Sequence, residues 1–577
     1  MNRKYFVFSS LLVILSLLLA GCGSTVAPAA TKAPEPTASL PEATKAPEPT
    51  ASLPEATKAP EPTASLPEAT KAPEPTQQPA KSELANTLVV AHAEAAYKFD
   101  PIIANWWDVG RVMMVAYDSL VRYDPIGKQV IPWLVKEWEI SDDGLTYTFK
   151  LNQGVKFHDG TDLTSSDVKY TMERTMTIGE DTAAYLADVK SIEAVDDYTV
   201  KITLSAPSNV FLTQLTQIFI LSEEGAKAHE VAGDLAQGYL VDHELGSGPY
   251  ELVENVPDQK ATFKRFDGYW KGWTGDEPDG VVFLWIKESA TQQLMLEKGD
   301  IDIMMNPTWD NLAGFGDKPG YVVLKGDSPM IYGVNFRVIH KPLDDIRVRK
   351  ALEMAVDYDY FVNVALGGYA QQAQGPMGRG MPYHNDDIPL VTYDIEAAKQ
   401  LLAEAGYPGG GFTLKVAYES GQEDSVRMFD SLQASWGELG VQVEAMGMDW
   451  ASESAMAADP KSEPDVHLTY TWPDFPHPGA LRVYFHSDSL SFGSNMSYWS
   501  DPAVDKLFDG ALVETDPTKQ AQSYKEIQQR IFDAHIAAWV SEEPYYIIAR
   551  DYVKGYVYNP SPHQSLDVYH MRIEGKP

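Results

Sequence analysis

The sequence predicts an α/β body of at least two lobes, carried behind an export leader and a proline-rich tether. Three observations lead there. Beyond residue 340 apolar residues recur alternately at helical and strand spacing, which is the pattern of βαβ units in a mixed or parallel sheet covered by helices. Hydrophobic residues make up 44% and aromatics 11%, enough for substantial cores. The segment that can fold is roughly 490 residues long, too much chain for a single core. Lys+Arg number 46 against Asp+Glu 82, a net charge of −36. A chain so acidic repels phosphate backbones, which argues against a nucleic-acid partner. Solubility is the plain consequence of that charge, since net charge says nothing about the lining of a particular cleft.

The chain opens with Arg3 and Lys4 ahead of an apolar run from Tyr5 to Ala20, too short for a comfortable membrane span and built like a secretory signal over residues 1–21. The run ends Leu19-Ala20-Gly21-Cys22, which resembles a bacterial lipobox, so Cys22 is the expected lipidation site and the new N-terminus. It is the single cysteine, so no intrachain disulfide or Cys-rich metal site is available. Acyl chains contribute about 0.8 kcal/mol per buried methylene, enough in combination to hold the protein on a membrane. Residue 23 is Gly rather than Asp, so the usual inner-membrane retention signal is missing. Over residues 22–85 lies a Pro/Glu/Thr-rich linker: TKAPEPTASLPEA occupies 31–43, recurs at 44–56 and 57–69, and begins again at 70–76. Each copy has one large aliphatic residue and cannot bury enough surface to offset its ordering entropy. An extended polyproline conformation would reach on the order of 150 Å as an upper bound. Reach from the membrane is the expected role, a Pro-rich recognition motif the alternative.

Order is expected from about Asn86. Thr87–Ala91 reads as a short buried strand. Trp138–Ile140 and Leu145–Leu151 read as a β-hairpin turned at Asp143-Gly144, with Leu145, Tyr147, Phe149 and Leu151 on one face. A turn follows at His158-Asp159-Gly160, and Thr164-Ser165-Ser166-Asp167 looks like a capping box opening a helix through Met176. Val348, Ala351, Leu352, Ala355 and Val356 recur at helical spacing behind Asp344-Asp345. Ala397 to Ala405 do the same between Asp394 as cap and Gly406 as stop. Strands are expected at Phe412–Tyr418, Val441–Met446 and Asp465–Tyr470, with a helix at Ser425–Leu439.

Catalytic and metal signatures are missing. His229-Glu230 and His243-Glu244 lack the second His of a zinc helix, and Gly246-Ser247-Gly248 reads as a tight turn before Pro249 rather than a nucleophile elbow. There is no phosphate-binding P-loop and no EF-hand loop. His467, His477 and His486 fit no metal spacing and are expected at the surface or in loops. No cofactor is expected.

Trp138 to Asp167 (WEISDDGLTYTFKLNQGVKFHDGTDLTSSD) resembles the hallmark of solute-binding protein family 5 of ABC importers, which includes dipeptide-, oligopeptide- and nickel-binding proteins. The likeness continues in family order through Gly246–Tyr250, Phe266–Trp270, Leu296–Asp302, Val334–Phe336, Pro342–Ala351, Gly367–Ala370 and Tyr393–Tyr407. The resemblance implies a two-lobed, periplasmic-binding-protein type II-like fold with mixed sheets around a hinged cleft. Lobe I would comprise 86–125, 241–326 and 541–577, with a subdomain inserted at 126–240, and lobe II would span 327–540. Ligand would bind between the lobes and close them, and moving such an equilibrium from 1:99 to 99:1 takes about 5.5 kcal/mol of differential affinity.

In peptide-binding relatives a lobe II aspartate pairs with the ligand's α-ammonium, in a stretch matched here by Tyr470-Thr471-Trp472-Pro473-Asp474-Phe475-Pro476-His477-Pro478. The resemblance therefore puts the anchor at Asp474, and a carboxylate in a closed cleft desolvates readily only with a cationic partner. A loop aspartate held by backbone amides is the plain alternative. Where a second acid is common this chain has His477, which leaves room for another solute. The same resemblance sets Ala104-Asn105-Trp106-Trp107 opposite Tyr470, Thr471 and Trp472, two segments between which a peptide backbone would add as an extra strand. Paired tryptophans are ordinarily core residues, and aromatic platforms equally suit sugar rings. Arg337 and Arg379 are candidate carboxylate partners.

The expected function is that of a monomeric, lipid-anchored receptor on the extracytoplasmic face of the cell membrane, delivering short peptides to a permease and its ATPase subunits and catalysing nothing. An oligosaccharide or other small-solute carrier of the same family is the nearest alternative, and a metal-chelate carrier a more distant one. A surface hydrolase has no supporting motif. A peptide-binding chaperone or adhesin would bind without lobe closure.

Overall fold

The strand Thr87–His92 shows why a run of apolar residues can be central: alternate side chains enter different cores. Leu88 and Val90 pack with the helix Trp107–Ala116, while Val89 and Ala91 pack with Leu296, Leu312 and Phe315 on the opposite face. The computed structural model describes residues 86–104, 107–490, 494–561 and 564–577. Cys22, the leader, the linker, Asn105 and Trp106 lie outside the described residues, as does the side chain of Trp107. Among the described residues no helix is long and apolar enough to cross a membrane.

Three sheets organise the body. The first, seven-stranded, runs in the order Tyr250–Val256, Lys260–Arg265, Gly280–Trp285, Thr87–His92, Ile303–Met304, Tyr545–Arg550, Tyr321–Gly326. Thr87–His92 is parallel to both neighbours and the other pairs are antiparallel, so the sheet is mixed. The second, six-stranded and also mixed, is ordered Gln371–Gln372, Ala537–Glu542, Ile331–Phe336, Val466–Thr471, Thr413–Glu419, Gln442–Met448. One face carries the helices Ile346–Met354, Ile395–Glu404 and Glu423–Gly437, the other Pro502–Val513 and Pro517–Asp533. The third is antiparallel, ordered Val135–Ile140, Thr146–Leu151, Thr199–Leu204, Val189–Asp196, with the helix Ser165–Ile178 against it.

The chain crosses between the two large sheets twice, side by side. Tyr321–Gly326 leads into Ile331–Phe336, and Ala537–Glu542 leads back into Tyr545–Arg550. Gly326 pairs with Tyr545 and Ile331 with Glu542, so the crossings form a two-stranded hinge. A Cβ on Gly326 would fall 2.0 Å from the Tyr558 ring, which is why glycine stands there.

Local signals in the sequence act as expected. The hairpin pairs Trp138 with Phe149 and Ile140 with Tyr147, and Gly144 takes φ +69° at the turn. Thr164 and Asp167 form the capping box, Asp345 and Asp394 cap their helices, and Gly406 adopts φ +94° past the second. The strands at 413, 442 and 466 sit within two residues of their predicted bounds. Two readings are corrected. Gly246-Ser247-Gly248 is a close approach rather than a tight turn: the Gly248 amide donates to Ala116 O at 2.8 Å, and a Cβ on Gly246 would reach that oxygen at 1.9 Å. His467 is fully buried on a central strand, where its Nδ1 faces Glu453 Oε1 at 3.2 Å and its Nε2 faces Arg337. His486 is buried too, in a bend beside Asp488. Among the described residues no His/Cys/Asp/Glu group could hold a metal ion.

Candidate functional site

The strand Val466–Thr471 ends where Pro473, Pro476 and Pro478 remove the backbone donors a strand needs. The segment after it leaves the sheet and reaches the third sheet, where Phe475 and Ala480 bury in that sheet's core and Phe475 meets Tyr185 edge-on at 6.2 Å. Asn209, just past the third sheet's strand Thr199–Leu204, reaches back, its amide donating to Leu512 O at 2.9 Å and its side chain to Ala511 O and Glu514 O.

A cavity of about 650 Å³ lies between the two large sheets. Met305, Trp309, Tyr545 and Tyr546 line it from the first-sheet side, and Glu419, Asp424, Trp450 and Tyr470–Trp472 from the second. Glu543, in the hinge crossing, also lines it. Trp309 closes over it by donating Nε1–H to Asp424. The volume falls in the usual range for small-molecule sites.

Tyr470, Thr471 and Trp472, singled out in the sequence, all line this cavity. The backbone of Trp472 is engaged: its carbonyl accepts from Tyr484 Oη at 2.7 Å, and its amide faces the same oxygen at a long 3.3 Å. An added ligand strand would have to displace that longer contact. Asp474 lies two residues past the cavity-lining stretch, near Tyr185 and Tyr484. Asp474 is not among the residues lining the cavity; its own surface is exposed, and desolvation pushes its carboxyl up to about 6. It has no hydrogen bond or ion pair among the described residues. Trp107 opens the helix Trp107–Ala116.

Other candidates are engaged elsewhere. Arg337 is fully buried and donates to Ser462 Oγ at 2.8 Å and to backbone carbonyls, Arg379 pairs with Glu542 at 2.7 Å, and neither is among the residues lining the cavity. His477 accepts from the Gly479 amide at 3.1 Å and meets Tyr383 and Tyr524 edge-on. Burial holds it down to about 4, hence neutral at pH 7.

Sequence reasoning missed the carboxylates at the hinge. Tyr470 Oη lies 2.8 Å from Asp424 Oδ2 and 3.1 Å from Glu543 Oε2, and Ser541 donates to Glu543 Oε1 at 2.8 Å. Burial raises both carboxyls above their ordinary values, and Asp424 raises Glu543 further. Tyr470 has one proton to give, so it serves one carboxylate at a time, and the other must keep its own proton or meet a cation. Asp424 was hidden because acids are routine in a helix's first turn. Glu542-Glu543 did carry a signal, two adjacent acids inside the apolar run AAWVSEEPYYIIA.

Two α/β lobes joined by a double crossing around such a cavity define a solute-binding protein. The model of the bacterial extracellular solute-binding proteins, family 5 (middle), matches residues 129–492. The chain belongs to that family, the solute-binding class of ABC transporters. It is 28% identical over 509 residues to the dipeptide-binding protein of Escherichia coli strain K12, covering 83% of this chain and 94% of that one. It is also 28% identical over 526 residues to heme-binding protein A of Haemophilus influenzae, covering 87% and 94%. Among solved structures, the periplasmic binding protein DppA from Helicobacter pylori in complex with the peptide STSA superposes with a TM-score of 0.74 at 24% identity, covering 86% of this chain and 100% of that one.

Proposed function

We propose that the protein captures short peptides between its lobes and delivers them to the permease of an ABC importer, held at the extracytoplasmic face of the membrane through a lipid on Cys22. In this reading lobe I comprises 86–125, 241–326 and 541–577 with 126–240 inserted, lobe II comprises 327–540, and the protein binds without catalysing. The observation that carries it is Asp474, an exposed carboxylate near Tyr484 of the cavity wall that has no ion pair among the described residues and is desolvated enough to favour a cation. The dipeptide-binding relative and the peptide-bound structural neighbour supply the ligand class. Tyr470, Thr471 and Trp472 would hold the peptide, with Asn105, Trp106 and Trp107 across from them.

The test is calorimetry with a free and an N-acetylated tripeptide from pH 5 to 8. Acetylation is expected to cost at least about a hundredfold, because it deletes the charge that Asp474 would meet. With Asp474 pushed up to about 6, its ionised fraction falls below that pH while the peptide ammonium stays charged. Affinity for the free peptide should therefore drop about tenfold per unit below about pH 6. Equal binding of both peptides, or a flat profile, contradicts the anchor. A second reading, an oligosaccharide or other small solute, is favoured by the aromatic wall of Trp309, Trp450, Trp472 and Tyr546. It requires saccharide binding in the same calorimeter.

A further inference from the structure

The cavity wall has a chemistry that a single α-ammonium does not use. Glu419, Asp424 and Glu543 all line it, and among the described residues none of the three has an ion pair. Their chain neighbours differ: Glu423 is paired with Arg427 and Glu542 with Arg379. Arg111 is the only basic side chain among the described residues on the cavity wall, and it is turned to Ser565 Oγ at 2.7 Å and to the face of Tyr545.

A second observation is independent of charge. Trp450 lines the same cavity and keeps 45% of its surface exposed, capped onto its helix by Asp449 but left uncovered. A large apolar ring left open on an interlobe wall gains most when something packs on it. Carboxylates lining the same cavity as an uncovered indole suit an ammonium or guanidinium on an aliphatic stem: the stem packs on the ring, the ring face attracts the cation, and the carboxylates pair with it. Tyr470 can donate to only one of Asp424 and Glu543 at a time, and a cation is one of the two ways, beside a retained proton, of meeting the other.

We propose that Glu419, Asp424, Glu543 and Trp450 form a subsite for a cationic side chain, so that the protein prefers peptides carrying lysine or arginine in addition to their α-ammonium. This rests on the peptide reading above. Calorimetry at pH 7 on the full-length protein compares trialanine with tripeptides in which lysine or glutamate replaces the second or third alanine. The better lysine peptide is expected to bind at least about tenfold tighter than trialanine, and both glutamate peptides weaker. In the isosteric variants Glu419→Gln and Asp424→Asn the lysine-to-alanine ratio should fall towards one, and Trp450→Ala, which keeps every charge, should lower it part of the way. Tight trialanine binding with no lysine preference overturns the subsite and leaves the peptide reading standing. Failure of every peptide to bind overturns both.

Discussion

Asp474→Ala is expected to weaken an amine-bearing peptide by about 3–5 kcal/mol, the usual penalty when one partner of a desolvated charge pair is removed. The magnitude follows from what closure does. Before ligand binds, desolvation already pushes this carboxyl up to about 6, so its ionised form carries a cost that a cation relieves. Once ligand binds, the peptide ammonium loses its water and needs a full countercharge. Without Asp474 the groups near that position include the hydroxyls of Tyr185 and Tyr484, which burial keeps protonated and which offer dipoles rather than charge. Calorimetry on the variant checks this, with circular dichroism to establish that it folds. A loss below about 0.5 kcal/mol rejects the anchor, because surface carboxylates are worth about that much.

The second large effect is on stability. Arg174, on the helix Ser165–Ile178, grips Asp100 with both nitrogens, at 2.9 and 2.6 Å, and neither side chain is exposed. Asp100 also accepts from the Ile102 amide, and Arg174 Nε donates to Leu235 O. The pair ties the third sheet's helix to the segment that follows the first strand. Asp100→Ala leaves a guanidinium buried among groups that cannot neutralise it, and should destabilise by about 3–5 kcal/mol. Replacing both residues, Asp100→Leu with Arg174→Met, removes the orphaned charge and should recover much of that loss. Urea unfolding of the two variants checks the order, and an unchanged midpoint for Asp100→Ala contradicts it.

Much of the fold could be read locally, and the limits are physical. Caps and turns depend on a few adjacent residues, so Thr164, Asp345, Asp394 and Gly406 announce themselves. Sheet order depends on partners hundreds of residues apart. Nothing in the run YYIIAR says that it enters the first sheet between Ile303–Met304 and Tyr321–Gly326, and two-residue strands such as Ile303–Met304 have no periodicity to detect. Gly246 and Gly248 look like turn residues because the sequence cannot show the backbone of Ala116 lying against them. The site divides the same way. Tyr470–Trp472 came from a motif and lie on the cavity wall, whereas Asp424 and Glu543 are 119 residues apart and meet only through Tyr470. His467 was misjudged because an imidazole on a strand gives no sign of the buried Glu453 and Arg337 that receive it.

Native mass spectrometry of the protein, purified from a bacterial host without refolding, tests the central claim most directly. A closed cleft with a charged anchor should retain ligand, so a spread of adducts that fragment as short peptides is the predicted result. A single adduct that fragments in hexose increments would contradict it, and would make Trp309, Trp450 and Trp472 the recognition surface of a carbohydrate carrier instead.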